Sequence, residues 1–153
     1  MSEIASYQIS LKCFLKNKNG EILILKTPEW SSFNGMYDFP GGRIDLTEFE
    51  THYIDILKRE IFEETGIKDV MIENKVVAVG RHKVSKEIRK NGDEDNYIFY
   101  VFYEGLLNCE ECPVMSFEHD EYDWVKLEDI VLEDYFCSGY LEGAKMYLEN
   151  LKD

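Results

Sequence analysis

Long apolar runs, export signals and cysteines are scarce or missing in this sequence. No stretch approaches the roughly 18 consecutive apolar residues that a membrane-spanning helix needs, so we expect no membrane partner. Residues 1–6 lack the basic region and apolar core of a secretory signal peptide, which predicts a cytoplasmic protein. The 4 cysteines, Cys13, Cys109, Cys112 and Cys137, are therefore expected to be free thiols.

Positive charge is also in short supply. The chain has 17 Lys and Arg against 31 Asp and Glu, a formal net charge of −14. Binding a nucleic-acid polymer nonspecifically requires a basic face that neutralises phosphates, so this partner is not expected. A small phosphorylated substrate held through a bound metal remains compatible with the charge. With 44% hydrophobic residues in 153, residues 1–153 are expected to form a single domain with its own core.

Two of the cysteines, Cys109 and Cys112, have the spacing of a zinc-binding pair. A closed structural zinc site needs four ligands, and no histidine pair stands at finger spacing. Cys13 lies in an apolar strand pattern and is a poor further ligand. We therefore interpret the segment around Cys109 as a surface loop.

Hydrophobic periodicity predicts several strands. Alternation over residues 9–15 predicts a half-buried strand, and an Asn-Gly turn connects it to a second strand at 22–25. One or two strands are predicted within residues 70–84. An aromatic and β-branched strand follows at 97–103, and a short one at about 122–126.

Two helices are predicted between and after these strands. The first ends at Gly66, a glycine placed as in a left-handed C-terminal cap. Its start is ambiguous, because Thr47 with Glu50 forms a capping-box pattern while Thr51 is an equally good N-cap. The second helix spans about residues 138–151. The order of elements predicts an α/β (α+β) fold, with a mixed sheet and a helix packed on each face.

The end of the first helix carries three acidic side chains that repel one another. Glu60, Glu63 and Glu64 fall within about 100° of arc on an ideal helix. The Glu60–Glu64 repulsion costs about 0.2–0.5 kcal/mol, and the helix dipole disfavours each anion near its C-terminus by about 0.3–1 kcal/mol. A solvated acidic face is the simpler interpretation. A hard cation such as Mg²⁺ would remove the conflict, since it prefers carboxylate oxygens.

The residues before this helix reveal a family resemblance. Gly42, Glu48 and the run from Arg59 to Ile67 strongly resemble the Nudix box of the MutT-like Nudix hydrolases. The departure is a three-residue insertion, since ten residues separate Glu48 from Arg59. Residues 34–40 are similar to the segment that usually precedes the box. Residues 118–125 are similar to the acidic run before a strand tryptophan in MutT-like members.

The resemblance implies a Nudix fold, a mixed β-sheet sandwiched between helices. It also implies hydrolysis of a nucleoside diphosphate derivative by water attack on phosphorus, with Mg²⁺ as cofactor and Mn²⁺ as a substitute. By the same resemblance, Glu60, Glu63, Glu64 and the Gly41 carbonyl oxygen are the metal ligands. Arg59 is expected to pair with a glutamate of the box and hold it in position.

Other roles implied by the resemblance stay open at this stage. The general base is either a box glutamate, Glu63 or Glu64, or an acid from a distant loop, Glu118, with Glu121 as a neighbouring candidate. Arg43 is a candidate contact to substrate phosphates, or else a solvated loop arginine. Two aromatic residues before the box, Trp30 and Tyr37, are candidate stacking partners for the substrate, or else anchors of the core or loop.

The substrate itself is not predicted beyond its class. Nucleoside triphosphates, nucleotide sugars, ADP-ribose and dinucleoside polyphosphates all contain the diphosphate linkage that such an enzyme cleaves. A homodimer is expected by family analogy alone. The alternative function is a nucleotide-binding sensor or regulatory module on the same fold with little or no catalysis, suggested by the altered spacing between Glu48 and Arg59.

Overall fold

A mixed sheet of seven strands carries the fold, and the computed structural model describes residues 2–87, 94–108 and 121–152. The strands are β1 (Gln8–Lys16), β2 (Ile22–Lys26), β3 (Tyr37–Asp38), β4 (Gly41–Arg43), β5 (Val70–Val84), β6 (Asn96–Leu107) and β7 (Glu121–Val125). Their order is β3-β2-β1-β6-β5, with β4 also paired to β1 and β7 to β2. Strands β1 and β6 run parallel, and the other pairings among the described strands are antiparallel. The predicted mixed sheet is confirmed.

Helices cover both faces of this sheet. They are α1 (Tyr53–Thr65), α2 (Leu132–Tyr135) and α3 (Ser138–Leu151), and single 3-10 turns stand at Leu46–Glu48 and Leu127–Asp129. The α1 side chains belong to one hydrophobic core, and those of α2 and α3 belong to the other. The prediction of a helix on each face is confirmed. Within the described parts of the chain, no helix is long and apolar enough to cross a membrane.

The first hairpin and the long fifth strand follow the local sequence signals. The side-chain oxygen of Asn17 accepts the N–H groups of Asn19 and Glu21, each at 3.0 Å, and Gly20 takes a positive φ of 77°. The predicted turn is thereby confirmed. Strand β5 is continuous, with register shifts between Ile72 and Ala78 that explain why the pattern read as one or two strands.

Strand β1 is buried on both faces, so the expectation of a half-buried strand is wrong. Its side chains alternate between the two cores, and both α1 and α3 cover the sheet at this point. Leu11, Cys13 and Leu15 face the core below α1, and Ser10, Lys12 and Phe14 alternate with them on the other face of the strand. Two polar side chains, Ser10 and Lys12, are therefore held inside the fold, with exposed fractions of 3% and 5%.

Helix α1 begins later than either predicted start. His52 is the N-cap, and its ring Nδ1 accepts the Ile54 N–H at 3.1 Å. A capping box does exist, but Asp45 and Glu48 form it at the preceding 3-10 turn. Residues 49–51 form a turn and a bend between the 3-10 turn and the His52 cap, and they are not part of the helix. The predicted Thr47 and Thr51 caps are wrong for this reason.

The other end of α1 matches the prediction. Gly66 has φ 73°, in the left-handed region, and its N–H donates to the Phe62 carbonyl oxygen at 2.8 Å. A glycine tolerates this conformation without the steric penalty of a Cβ atom. Helix α1 therefore ends at Thr65, and its last turn, which carries the glutamates, lies beside β4.

Candidate active site

Gly41 brings the backbone of β4 against both β1 and α1. Its N–H donates to Glu64 Oε1 at 2.7 Å, and the Glu64 side chain is buried, with a 7% exposed fraction. The φ of Gly41 is 144°. A Cβ atom here would overlap the Leu11 carbonyl oxygen and approach Lys12 Cα to 2.9 Å. Only glycine fits, and the close approach holds Glu64 at the end of the helix.

Gly42 leaves room for a different glutamate. A Cβ atom at Gly42 would overlap the Glu60 carboxylate. The Glu60 side chain is 18% exposed and lies at the edge of the packed face. Two carboxylates thus lie beside β4, with Glu64 against Gly41 and Glu60 against Gly42. Arg43 follows directly, and its Nη1 donates to Gln8 Oε1 at 2.8 Å.

Arg59 gathers three further carboxylate contacts at the surface of this site. Its Nη2 donates to Glu48 Oε2 at 2.7 Å and to Glu60 Oε1 at 3.1 Å. Its Nη1 donates to both carboxylate oxygens of Glu63 at 3.1 Å. The predicted contact between Arg59 and a box glutamate is present. The same guanidinium also reaches Glu48, despite the longer spacing between the two residues.

The electrostatic environment differs among these carboxylates. Burial raises the pKa of Glu60, and the neighbouring charge of Glu63 raises it further, while Arg59 opposes both effects. The pKa of Glu48 is lowered, first by the Asp45 N–H that it accepts and then by its hydrogen bond from Arg59. A cation beside Glu60 would therefore favour its ionised form and oppose the effect of burial.

The donor chemistry of the box fits a hard divalent cation, because Glu60, Glu63 and Glu64 supply carboxylate oxygens from adjacent turns of α1. In the observed side-chain positions, these three carboxylates do not surround a common point where a metal ion could bind. No group of three or more His, Cys, Asp or Glu within residues 2–87, 94–108 and 121–152 is arranged to hold a metal ion. Glu63 turns toward Arg59, and Glu64 toward the Gly41 N–H.

A cleft of about 780 Å³ opens beside these residues, and we call it the first cleft. Its lining includes five residues of the box and its flank, Gly41, Gly42, Arg43, Glu60 and Glu64. The lining also includes polar and aromatic side chains of the loop after β2, among them Trp30, Ser31, Ser32 and Phe33. The structure thus brings the box together with a concave surface of a size suited to a small-molecule ligand.

The two predicted stacking residues have different surroundings. Trp30 lines the first cleft, and its side chain is 80% exposed. Tyr37 lies away from the described lining of that cleft, and its ring packs on Tyr135 with a centroid distance of 5.6 Å. Tyr37 therefore has the surroundings of a packing residue, which was the alternative role for an aromatic at this position. Its predicted contact with substrate has no geometric support.

Two buried polar residues on the floor of the first cleft were missed by the sequence analysis. Lys12 and Asp38 have exposed fractions of 5% and 6% and line the cleft with Glu60 and Glu64. The Lys12 ammonium lies 5.4 Å from the centre of the Tyr140 ring. Alternation in β1 did mark Lys12 as polar, but the pattern alone suggested a solvent-facing side chain. Only the packing of α3 shows that this face is enclosed.

Glu118, the distant candidate for the general base, lies outside the described residues. The same holds for Cys109 and Cys112, so the structure does not address the loop interpretation of that segment. Of the other two cysteines, Cys13 is a free thiol in the core, and Cys137 is a free thiol with intermediate exposure. Burial raises the pKa of both thiols.

Comparison with known proteins gives one family and many similar folds. The family model described as NUDIX domain matches residues 6–141. The MutT protein of Methanosarcina mazei is 23% identical, with a TM-score of 0.73 over 99% of this chain and 100% of that one. A Caenorhabditis elegans Ap4A hydrolase binary complex is 20% identical, with a TM-score of 0.64 over 95% of this chain and 98% of that one.

A third similar structure is the NUDIX domain of Shewanella oneidensis NrtR complexed with ADP ribose. It is 17% identical, with a TM-score of 0.65 over 97% of this chain and 90% of that one. No curated protein matches the chain. At these identities the similar structures show a common fold, which agrees with the sheet and helices described above.

Proposed function

Because the chain belongs to the NUDIX domain family of hydrolases, we propose that it is a Mg²⁺-dependent pyrophosphohydrolase. Its substrate would be a nucleoside diphosphate derivative, cleaved by water attack on phosphorus. The observation that carries this proposal is the placement of Glu60 and Glu64 against Gly42 and Gly41 at the edge of a cleft. Two similar structures, one named an Ap4A hydrolase and one bound to ADP ribose, support the nucleotide class of substrate.

In this proposal Glu60, Glu63, Glu64 and the Gly41 carbonyl oxygen hold Mg²⁺, and Mn²⁺ can replace it. A bound divalent ion would offset the negative charge that develops on the phosphate oxygens. Arg59 orients Glu60 and Glu63 through the hydrogen bonds described above and acts as a positioning residue. The attacking water needs a proton acceptor, for which Glu63, Glu64 and Glu118 are the candidates.

The substrate contacts come from the first cleft. Arg43 stands at its edge and supplies a guanidinium group, whose planar set of donors matches phosphate oxygens. Trp30 presents an exposed indole ring on which a nucleobase can stack. Both residues lie on the same cleft as Glu60, so one ligand can touch all three.

The test is a substrate panel with Mg²⁺ that contains nucleoside triphosphates, nucleotide sugars, ADP-ribose and a dinucleoside polyphosphate. Turnover is expected on at least one class and should vanish with EDTA. Replacing Glu63→Gln or Glu64→Gln should lower kcat/KM by more than about 100-fold, because each variant removes a charged ligand. Glu149→Gln, on the exposed face of α3, is the matched control and should keep full activity. Undiminished turnover in both box variants would overturn the site.

The alternative function is a nucleotide sensor. The observation in its favour is the stretch of ten residues between Glu48 and Arg59, which departs from the spacing of the family's box. A sensor would bind nucleotide tightly in EDTA and hydrolyse no member of the panel. Retention of all three box glutamates ranks this second, since a sensor does not need three adjacent anions at a helix end.

A homodimer and a cytoplasmic location, both expected from the sequence, stay predictions. Sedimentation velocity on the full chain tests the first. Fractionation of cells that express it tests the second.

A further inference from the structure

His82 of β5 lies in a chain of hydrogen bonds that connects the first cleft to helix α3. Between β2 and β3, residues 28–35 form a segment that we call the cleft loop, because its residues 30–33 line the first cleft. The Nε2 atom of His82 lies 3.1 Å from Ser32 Oγ, and its Nδ1 atom lies 2.8 Å from Ser138 Oγ. One half-buried imidazole ring thus joins three segments that are distant in the chain.

The hydroxyl of Ser138 determines which nitrogen of this ring carries the proton. Ser138 Oγ also lies 3.2 Å from the carbonyl oxygen of Arg81, which can only accept a hydrogen bond. Ser138 therefore donates its one hydroxyl proton to Arg81 and accepts the Nδ1–H of His82. The network assigns the neutral tautomer with its proton on Nδ1. Nε2 is then an acceptor, and the Ser32 hydroxyl donates to it.

Close packing fixes Ser138 relative to β5. Ser138 is the first residue of α3. A Cβ atom at Gly80 would overlap the Gly139 carbonyl oxygen, and a Cβ atom at Gly139 would approach the Arg81 carbonyl oxygen to 2.7 Å. The start of α3 therefore lies directly on β5, so the Nδ1 side of His82 is held by a rigid part of the fold.

Ring stacking attaches the cleft loop a second time. The Phe33 ring stacks on the His82 ring with a centroid distance of 4.3 Å. It also contacts the buried Tyr140 ring of α3 at a centroid distance of 4.8 Å. Two consecutive residues of the loop, Ser32 and Phe33, thus bind the same imidazole.

The position of Trp30 follows from these attachments. Trp30 lies in a turn that is closed by the Ser31 N–H, which donates to the Pro28 carbonyl oxygen at 3.0 Å. Ser31 Oγ in turn accepts the Phe33 N–H at 3.2 Å. The backbone that carries the exposed indole ring is therefore continuous with the part of the loop that His82 holds.

The surroundings of His82 favour its neutral form. Burial lowers the pKa of His82, and the positive charge of Arg43 on β4 lowers it further. On α3, burial raises the pKa of both Cys137 and Tyr140, so these groups are uncharged at neutral pH. The residue opposite His82 in β6 is the apolar Ile98. Other charged side chains on the packed elements are Glu29 of the cleft loop, Arg81 and Lys83 of β5, and Glu142 of α3, which accepts the Arg81 N–H.

We propose that His82 is a positioning residue for the cleft loop, which holds Trp30 at the first cleft while the ring is neutral and releases the loop when the ring is protonated. A protonated Nε2 can no longer accept the Ser32 hydroxyl, and a detached loop lets water solvate the imidazolium. Lower pH therefore favours the detached loop. The inference rests on the proposed function for the contact between Trp30 and substrate, but not for the attachment of the loop.

The experiment follows Trp30 directly. The chain has 2 tryptophans, so a Trp124→Phe background leaves Trp30 as the one indole fluorophore. Time-resolved fluorescence anisotropy then measures the local mobility of its ring. Ser32→Ala and Phe33→Leu should each increase the amplitude of the nanosecond decay at neutral pH, and Ser32→Thr should restore the original amplitude. With His82 present, the amplitude should also rise as the pH falls below about 6.5, and this rise should be absent in His82→Gln.

Two further measurements and a control complete the design. Nitrogen NMR of the His82 ring should place the proton of the neutral form on Nδ1. With Mg²⁺ and the preferred substrate, KM should rise by about 2- to 10-fold in Ser32→Ala at unchanged kcat, the range expected for the loss of one ordinary hydrogen bond. Ser6→Ala removes an exposed hydroxyl that does not line the first cleft, and it should change neither the anisotropy nor KM.

The outcomes separate this inference from the proposed function. Release of the loop in the variants and at low pH, without turnover of any substrate, would support the inference and contradict the enzyme. Anisotropy that is insensitive to Ser32→Ala, Phe33→Leu and pH would overturn the inference, whatever the substrate panel shows. A neutral ring with its proton on Nε2, or a lower kcat at unchanged KM in Ser32→Ala, would overturn it as well.

Discussion

Neighbouring glycines in β4 should respond to the same substitution in opposite ways. Gly41→Ala places a Cβ atom against the backbone of β1, which cannot move without disturbing the centre of the sheet. The positive φ of Gly41 adds about 1–3 kcal/mol of backbone strain, and overpacking adds about 1–3 kcal/mol. The free energy of unfolding should therefore fall by about 2–6 kcal/mol.

Gly42→Ala places its Cβ atom against the end of a flexible side chain, the carboxylate of Glu60. Displacing the Glu60 side chain by about 30° from its rotamer to make room costs about 0.5–1.5 kcal/mol. The lower entropy of the unfolded chain with alanine offsets about 0.4–1 kcal/mol of this cost. Stability should then stay within about 1 kcal/mol of wild type. Activity should fall by at least about 10- to 100-fold, because a proposed metal ligand has been displaced.

Urea denaturation measures the change in the free energy of unfolding of both variants. The loss of activity in Gly42→Ala is measured as kcat/KM with Mg²⁺ on the preferred substrate. Calorimetric titration of Mg²⁺ into folded Gly42→Ala adds a readout that does not depend on the substrate. The reasoning would be refuted if Gly42→Ala lost as much stability as Gly41→Ala. It would equally fail if folded Gly42→Ala bound Mg²⁺ and hydrolysed substrate like wild type.

Two further predictions concern groups away from the box. Burial lowers the pKa of His82, which lies between the Ser32 and Ser138 hydroxyls, so protonation favours the unfolded chain. The free energy of unfolding should drop as the pH falls below about 6.5, by at most about 1.4 kcal/mol per pH unit. Urea denaturation at several pH values should show a smaller pH dependence for His82→Gln than for wild type. An equal pH dependence of the free energy of unfolding in both proteins would contradict this prediction. Tyr147 donates a 2.5 Å hydrogen bond to Glu104, and Tyr147→Phe should lose about 1–2 kcal/mol. An unchanged urea midpoint in that variant would contradict the second prediction.

Local patterns were sufficient for most of the secondary structure. Alternation located β1, apolar and β-branched runs located β2, β5, β6 and β7, and helical spacing located α1 and α3. The short strands β3 and β4 had no such signal and were not predicted. Gly66 ended α1 as expected, since a positive φ at a helix end is a local requirement. The start of α1 was missed because His52 capped it, a residue type that is not among the usual N-caps.

The family could be predicted from the sequence, but the arrangement of the side chains in its box could not. The spacing of Arg59, Glu60, Glu63 and Glu64 identified the family, which the match over residues 6–141 confirms. Nothing in that spacing indicated that Arg59 would reach Glu48 across the longer loop.

The amino-acid sequence alone determined the box, the acidic end of α1 and the mixed order of strands and helices, because each depends on residues close together in the chain. Tertiary structure decided what surrounds the box. The burial of Lys12 and Asp38 and the absence of Tyr37 from the cleft that Trp30 lines both depend on elements distant in sequence. Burial is a property of which surfaces meet, so no local pattern could have assigned it.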